Sequence, residues 1–257
     1  MSTTPGSKTL LDTAKGLQPR LVDLRRRIHE EPELGLDTPA TRKKILDDLA
    51  DLDLEIDLHK KTSGIVATLR GARPGRSILL RGDMDALPMP EETGLPFASR
   101  HENRMHACGH DAHVSMLAGA ARILSSARDT LAGDVVFMFQ PGEECYGGAE
   151  VMLEEGMPET DGAFAIHVAP QIPTGMVGTK PGAIMASFDD FNIEVKGRGG
   201  HASMPHDCID PIPIACEIVG ALQAMVTRRV DVFDPAVVTV ARIQAGTTSN
   251  VIPETAE

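Results

Sequence analysis

Tryptophan is absent from this chain, tyrosine occurs once and phenylalanine seven times. So few aromatic rings leave little surface for base stacking. Basic residues are short as well: 25 Lys and Arg stand against 37 Asp and Glu, a formal net charge of −12. Both shortages argue against a nucleic-acid partner, which needs a basic face. No apolar run approaches the ~20 residues of a membrane span. Met1 to Lys15 lacks the apolar core of a secretory signal and reads as a polar lead-in to a helix. Cysteine is scarce too. Four in 257 residues, with no C-x-x-C pair, do not make a disulfide framework, so a reducing cytoplasm is the expected compartment. What is present is ordinary globular material, 42% hydrophobic and 24% charged, long enough for one large domain or two modest ones.

Leu17, Leu21, Leu24 and Ile28 recur at helical steps, with Pro19 expected in the first turn, and the stripe stops at residues 32–35. A second helix is predicted over 38–52 with Thr38 as its N-cap. Strands are predicted at 64–69, 77–80, 135–139 and 163–166, and helices at about 113–127 and 149–155. This alternation predicts a three-layer α/β domain with a largely parallel sheet. A Pro- and Gly-rich stretch at 170–181 marks a boundary. Beyond it, 188–196 alternates as a strand, 210–229 reads as a long helix and 237–243 as another strand. Two or three strands and one helix are thin cover for an independent domain, so this second β-α-β unit reads as incomplete.

Histidine is unevenly spread: His101, His106, His110 and His113 fall within thirteen residues, around Cys108. In an extended loop, residues two apart face one side, so Cys108 and His110 can grip one ion. In a helical segment His106 and His110, four apart, would compete for that role. Thiolate with imidazole suits Zn, Mn, Co or Ni rather than Mg or Ca. A lone His here would more often be a buried or capping residue, but a Cys and three His within residues 105–113 favour a metal site. Residues 140–144, Gln-Pro-Gly-Glu-Glu, leave the 135–139 strand directly. Paired carboxylates there suit a division of labour, one binding metal and the other moving protons.

A bare Glu-Glu pair is more often a solvated acidic turn. Position argues otherwise, because ligands of open α/β sheets bind beyond the carboxyl ends of strands. Asp83 and Asp85 follow the 77–80 strand and His167 follows 163–166, so three polar clusters leave strands at one edge. Asp83 and Asp85 are candidates either as ligands or as partners that orient a histidine, against the plainer alternative of a strand-end Asx turn. Residues 197–203 (GRGGHAS) read as a Gly-rich turn carrying His201, without a phosphate-loop ending. Alone, this turn and the loop at 246–250 are weak signals. Cys145, Cys208 and Cys216 lack ligand spacing and read as structural.

Taken in order, residues 81–88 (RGDMDALP), 105–113 (MHACGHDAH), 140–144 (QPGEE), 167–168 (HV), 197–203 (GRGGHAS) and 250–253 (NVIP) resemble the dinuclear metallo-amidohydrolases. That family includes hippurate hydrolase, bacterial N-acyl-amino-acid amidohydrolases and plant auxin-conjugate hydrolases, with carboxypeptidase G and aminoacylases as more distant relatives. The resemblance runs over nearly the whole chain from about Leu21. It implies a zinc-peptidase-like catalytic domain, residues 1–182 here, and a smaller ferredoxin-like α/β lid and dimerisation domain begun by residues 183–257. It implies two divalent metal ions with Cys108, His110, Glu144 and His167 as ligands. By the same resemblance Glu143 is the general base and Asp85 the acid that orients a metal ligand. His201 and Asn250 resemble residues that reach substrate in the partner subunit's site, which implies a homodimer built through the lid. The implied reaction is hydrolysis of the amide bond of an N-acyl amino acid, hippurate-like substrates included, to a carboxylic acid and a free amino acid. In the family the chain runs on past NVIP and returns to the catalytic domain with a late His ligand. The competing expectation is therefore a truncated, non-catalytic fragment that keeps metal or partner binding.

Overall fold

The computed structural model describes residues 5–144 and 146–257, with side chains from Leu10 onward. The first four residues of the expected lead-in, and the expectation for Cys145, lie outside the described residues. The chain divides into two units, the first ending at Val177 and the second spanning Gly178–Glu257.

The first unit opens with helix α1, Pro5–His29. The helix starts well before the leucine stripe, so Pro19 sits inside it rather than in its first turn and costs it one backbone hydrogen bond. Helix α2, Pro39–Leu49, begins with Pro at its first position, but Thr38 does not cap it. The carboxylate of Glu33 does that work, accepting from Ala40 N at 3.1 Å and Thr41 N at 2.7 Å.

Strands β1 (Glu55–Leu58), β2 (Ile65–Leu69), β3 (Ile78–Asp83), β4 (Val135–Gln140) and β5 (Ala163–Ala165) form one sheet in the order β1-β2-β4-β3-β5. β4 and β5 both pair parallel to β3, while β2 runs antiparallel to β4 and to β1. All strands but β2 thus share one direction. Helix α3, His110–Ser126, connects β3 to β4, and α4, Gly148–Glu155, connects β4 to β5.

Side-chain alternation builds the layers. Ile65, Ala67 and Leu69 of β2 and Val135, Phe137 and Phe139 of β4 pack with Leu24 and Ile28 of α1, Ile45 and Leu49 of α2, and Val114, Leu117, Ala118 and Ala121 of α3. The intervening Val66, Val136 and Met138 face the other way, against Met152 of α4. The result is the three-layer α/β arrangement, with all six residues of β4 buried. No helix among the described residues is long and apolar enough to cross a membrane.

The second unit holds α5, Pro211–Arg229, and four two-residue strands: β6 (Val195–Lys196), β7 (Gly200–His201), β8 (Val251–Ile252) and β9 (Thr255–Ala256). β6 pairs antiparallel with β9, and β7 with β8. Asp210 caps α5 by accepting from Ile212 N at 3.0 Å. The strands expected at 188–196 and 237–243 do not form at that length: only Val195–Lys196 of the first is extended and paired, and none of the second. Val237 is 85% exposed and Phe188 72%, so apolar alternation there meets no packing face within the described residues.

Candidate metal centre

The connections leaving β3 and β4 diverge to opposite faces of the sheet, the arrangement that in open α/β sheets makes a ligand crevice beyond the carboxyl ends of the strands. The donors expected from the sequence converge there. Ligand atoms of Cys108, His110 and His167 lie within 4.8 Å of one another, and so do those of His110, Glu143 and Glu144. Cys108 Sγ is 3.3 Å from His167 Nε2, and His110 Nε2 is 3.7 Å from Glu143 and 3.8 Å from Glu144. His110 belongs to both groups and so links the Cys108–His167 pair to the Glu143–Glu144 pair.

An extended loop does not bring Cys108 and His110 together. Gly109 takes a left-handed φ of 86° and His110 is already the first residue of α3. A tight turn into the helix aims both side chains at the crevice. A Cβ on residue 109 would also fall 2.4 Å from Val168 Cγ2, so glycine is needed on two counts. His106 takes no part: it is buried in the chain, outside these donor groups, and burial pushes its pKa down to about 4.

Hydrogen bonds orient both imidazoles. His110 donates from Nδ1 to the Asp85 carbonyl oxygen at 2.8 Å, and His167 donates from Nδ1 to the Val168 carbonyl oxygen at 2.7 Å. Each therefore presents a bare Nε2 to the crevice, the arrangement a metal-ligating histidine requires. The Asp85 carboxylate, buried in the first unit, accepts from Glu143 N at 2.9 Å and Glu144 N at 3.1 Å. It holds the backbone of the whole Glu-Glu turn, and its 3.6 Å approach to His110 Nδ1 adds to the orientation of that ring.

The electrostatics suit a cation. Burial pushes the Cys108 thiol up to about 12, and the carboxylates of Glu144, Glu143 and Asp83 add to it. Burial also raises Glu144, helped by Glu143 and Asp85 and only partly offset by His110 and Cys108. At His110 burial opposes charge, yet Asp85, Asp83 and Glu143 together raise its pKa. His110 Nε2 and Glu144 Oε1 are buried with no hydrogen-bond partner among the described residues. Orphaned polar atoms aimed at one point are costly unless something positive sits there. A thiolate, imidazoles and carboxylates together fit a borderline divalent ion.

Sequence reasoning left Asp83 and His113 unresolved. Asp83 is buried and accepts from His113 Nδ1 at 2.5 Å and Arg81 at 2.5 Å. Burial alone would raise the Asp83 carboxyl, but His113, His110 and Arg81 overcome it and hold it at about 2. The available signal was spacing: His113 stands one helical turn after His110.

His201 and Asn250 lie in the second unit and are neighbours there. His201 pairs with Val251 across β7 and β8, and Ala202 N donates to the Asn250 carbonyl oxygen at 3.0 Å. His201 Nδ1 accepts from the Ser203 hydroxyl at 2.8 Å, and Asn250 Oδ1 from Thr248 at 2.9 Å. Both side chains are exposed.

A sheet of this order with such a donor set at its carboxyl edge defines a zinc-peptidase-like α/β protein. Residues 79–254 match the model of the peptidase family M20/M25/M40, and the chain belongs to that family. It is 44% identical over 245 residues to the N-acetylcysteine deacetylase of Bacillus subtilis, covering 95% of this chain and 64% of the relative. It is 40% identical over 252 residues to a thermostable carboxypeptidase of Saccharolobus solfataricus, covering 96% and 64%. Among solved structures, a dinuclear metal binding M20 peptidase of Bacillus subtilis superposes with a TM-score of 0.71 at 38% identity, over 94% of this chain and 63% of that one. The chain thus spans about 64% of the length of the curated relatives it matches.

Proposed function

We propose that the complete protein hydrolyses the amide bond of N-acyl amino acids, releasing a carboxylic acid and a free amino acid. The observation that carries this reading is that His110 shares one donor group with Cys108 and His167 and another with Glu143 and Glu144. One relative is an N-acetylcysteine deacetylase, so N-acetyl amino acids come before hippurate as test substrates. Two divalent ions, when bound, polarise the amide carbonyl and lower the pKa of water. Cys108, His110, Glu144 and His167 would hold them, with His110 and His167 offering Nε2. Glu143, the more exposed of the two glutamates, takes a proton from the attacking water on its carboxylate and hands it to the departing nitrogen. Asp85 keeps Glu143 and Glu144 in register by gripping both their amides.

In the second unit, part of a lid by this reading, His201 and Asn250 contact substrate in a partner subunit of a homodimer. The cytoplasm is the proposed compartment, from the sparse cysteines, of which Cys108, Cys208 and Cys216 are free among the described residues.

The test is Glu143→Gln in the complete protein, assayed on a panel of N-acetyl amino acids and hippurate. The expected loss in rate is about 10²–10⁴-fold. Hydrolysis within about tenfold of the parent overturns the role of Glu143. A parent protein that binds divalent metal but turns over no N-acyl amino acid overturns the substrate class.

A further inference from the structure

His113 has the credentials of a metal ligand and a geometry that denies it the part. It is buried, stands in the first turn of α3, and its ligand atom lies within 4.8 Å of those of Asp83 and His110. Both ring nitrogens, however, are committed elsewhere. Nδ1 is 2.5 Å from a carboxylate oxygen of Asp83, an acceptor, so Nδ1 carries the proton and donates it. Nε2 is 2.9 Å from the amide nitrogen of Val168, an obligatory donor, so Nε2 is bare and accepts. A nitrogen whose lone pair takes an N–H has none left for a metal.

The residue held in this way is the one that aims His167. Val168 receives the His113 bond through its N–H and accepts the His167 Nδ1 proton through its carbonyl oxygen. The two rings also meet in a T-shaped arrangement, with centroids 4.6 Å apart at 72°. A chain of contacts therefore runs from Asp83, itself pinned by Arg81, through His113 and Val168 to His167, and ends with His167 Nε2 facing Cys108 Sγ. The side chain of Val168 also lies close to Gly109, where an added Cβ would fall 2.4 Å from Val168 Cγ2.

We propose that His113 is a positioning residue, which transmits the fixed position of Asp83 through Val168 so that His167 presents Nε2 to the metal centre. The inference rests on the reading of His167 as a metal ligand. It adds a ring of support around that ligand which the sequence motif does not separate from the ligands themselves.

The first test uses the complete parent protein, so no variant has to fold. With cadmium as the bound metal and nitrogen-labelled histidine, scalar coupling between the metal nucleus and imidazole nitrogen is expected at His110 and His167. His113 is expected to show none and to keep a protonated Nδ1 and an unprotonated Nε2. Coupling at His113, or a proton on its Nε2, overturns the proposal. Cadmium binding with no coupling at His167 overturns the ligand assignment beneath it, which is a different failure.

The second test separates the two bonds of His113. His113→Asn keeps a donor for Asp83 and offers nothing to Val168, whereas His113→Gln can return a carbonyl oxygen toward the Val168 N–H. Chelator competition is expected to show affinity falling about 10–100-fold in His113→Asn, with most of it recovered in His113→Gln. In the cobalt-loaded proteins the thiolate-to-metal band from Cys108 is expected to persist while the ligand-field bands shift in the Asn variant alone. Equal loss in both variants, or no loss in His113→Asn, overturns the proposal.

Discussion

In the unit that carries the metal donors, β4 buries all six of its residues between two helical layers. In Gly178–Glu257 the buried apolar residues among those described are Pro211, Ala215, Ile252 and Ala256, while Phe233 stands 90% exposed. The amino-acid material is similar in both, with β-branched and aromatic residues in alternation. What differs is the company each strand keeps. Strand-forming residues do little alone, and they stabilise a sheet when a neighbouring strand completes the ladder and a layer covers the face. The first unit supplies both to β4. In the second, the described residues pair only two at a time.

Three measurements bear on that contrast. The largest effect is expected from Phe137→Ala, which empties space at the centre of the main core and costs about 3–5 kcal/mol in urea unfolding. Phe233→Ala is expected to stay within about 0.5 kcal/mol. Equal costs at the two positions would erase the contrast. Next comes Asp85→Asn, which weakens the grip on the Glu143 and Glu144 amides. Metal affinity measured by chelator competition is expected to fall about 10–100-fold, while His201→Ala in the second unit leaves it unchanged. A drop caused by His201→Ala would show that the second unit reaches the metal centre.

The smallest effect concerns pH. The hydrogen bond from His29 to Asp111 raises the His29 pKa against the opposing effect of burial, and Glu91 adds to it. Arg25 on the same helix and His106 across from the ring complete its surroundings. A folded pKa above the unfolded value gives stabilisation that is fully present below about pH 6.5 and is lost as pH rises through the folded pKa. The difference in Tm between the parent and His29→Gln is therefore expected to narrow with rising pH in that range. A gap that widens would reverse the assignment.

The layer order and the site edge were legible because alternation and strand-end chemistry are local signals. The helix stripe from Leu17 to Ile28, the strand at 135–139 and the positions of Glu143, Glu144 and His167 needed no tertiary knowledge. β1 was missed because Glu55–Leu58 is an exposed edge strand whose place is set by pairing with β2. Thr38 looked like a cap, but the carboxylate of Glu33 folds back onto the same amides, a contact that no cap pattern encodes. The start of α3 was placed late because a glycine before a histidine resembles a loop. Its left-handed turn becomes meaningful only with Val168 packed against it. Asp83 and His113 could not be sorted into ligand or support from spacing, since that choice depends on which partner occupies each ring nitrogen.

The candidate donors come from widely separated points of the chain, Cys108 and His110 at the start of α3, Glu144 after β4 and His167 after β5. An unfolded chain offers no such set at one place, so an ion bound there acts as a late cross-link, made only after β3, β4 and β5 have paired. Free metal then becomes a brake on unfolding. At about 100 times its dissociation constant it holds the folded state by about 2.7 kcal/mol per site. With the proposed ions bound, the persistence of this fold in a cell would depend on metal supply, and scarcity would shorten the lifetime of the protein.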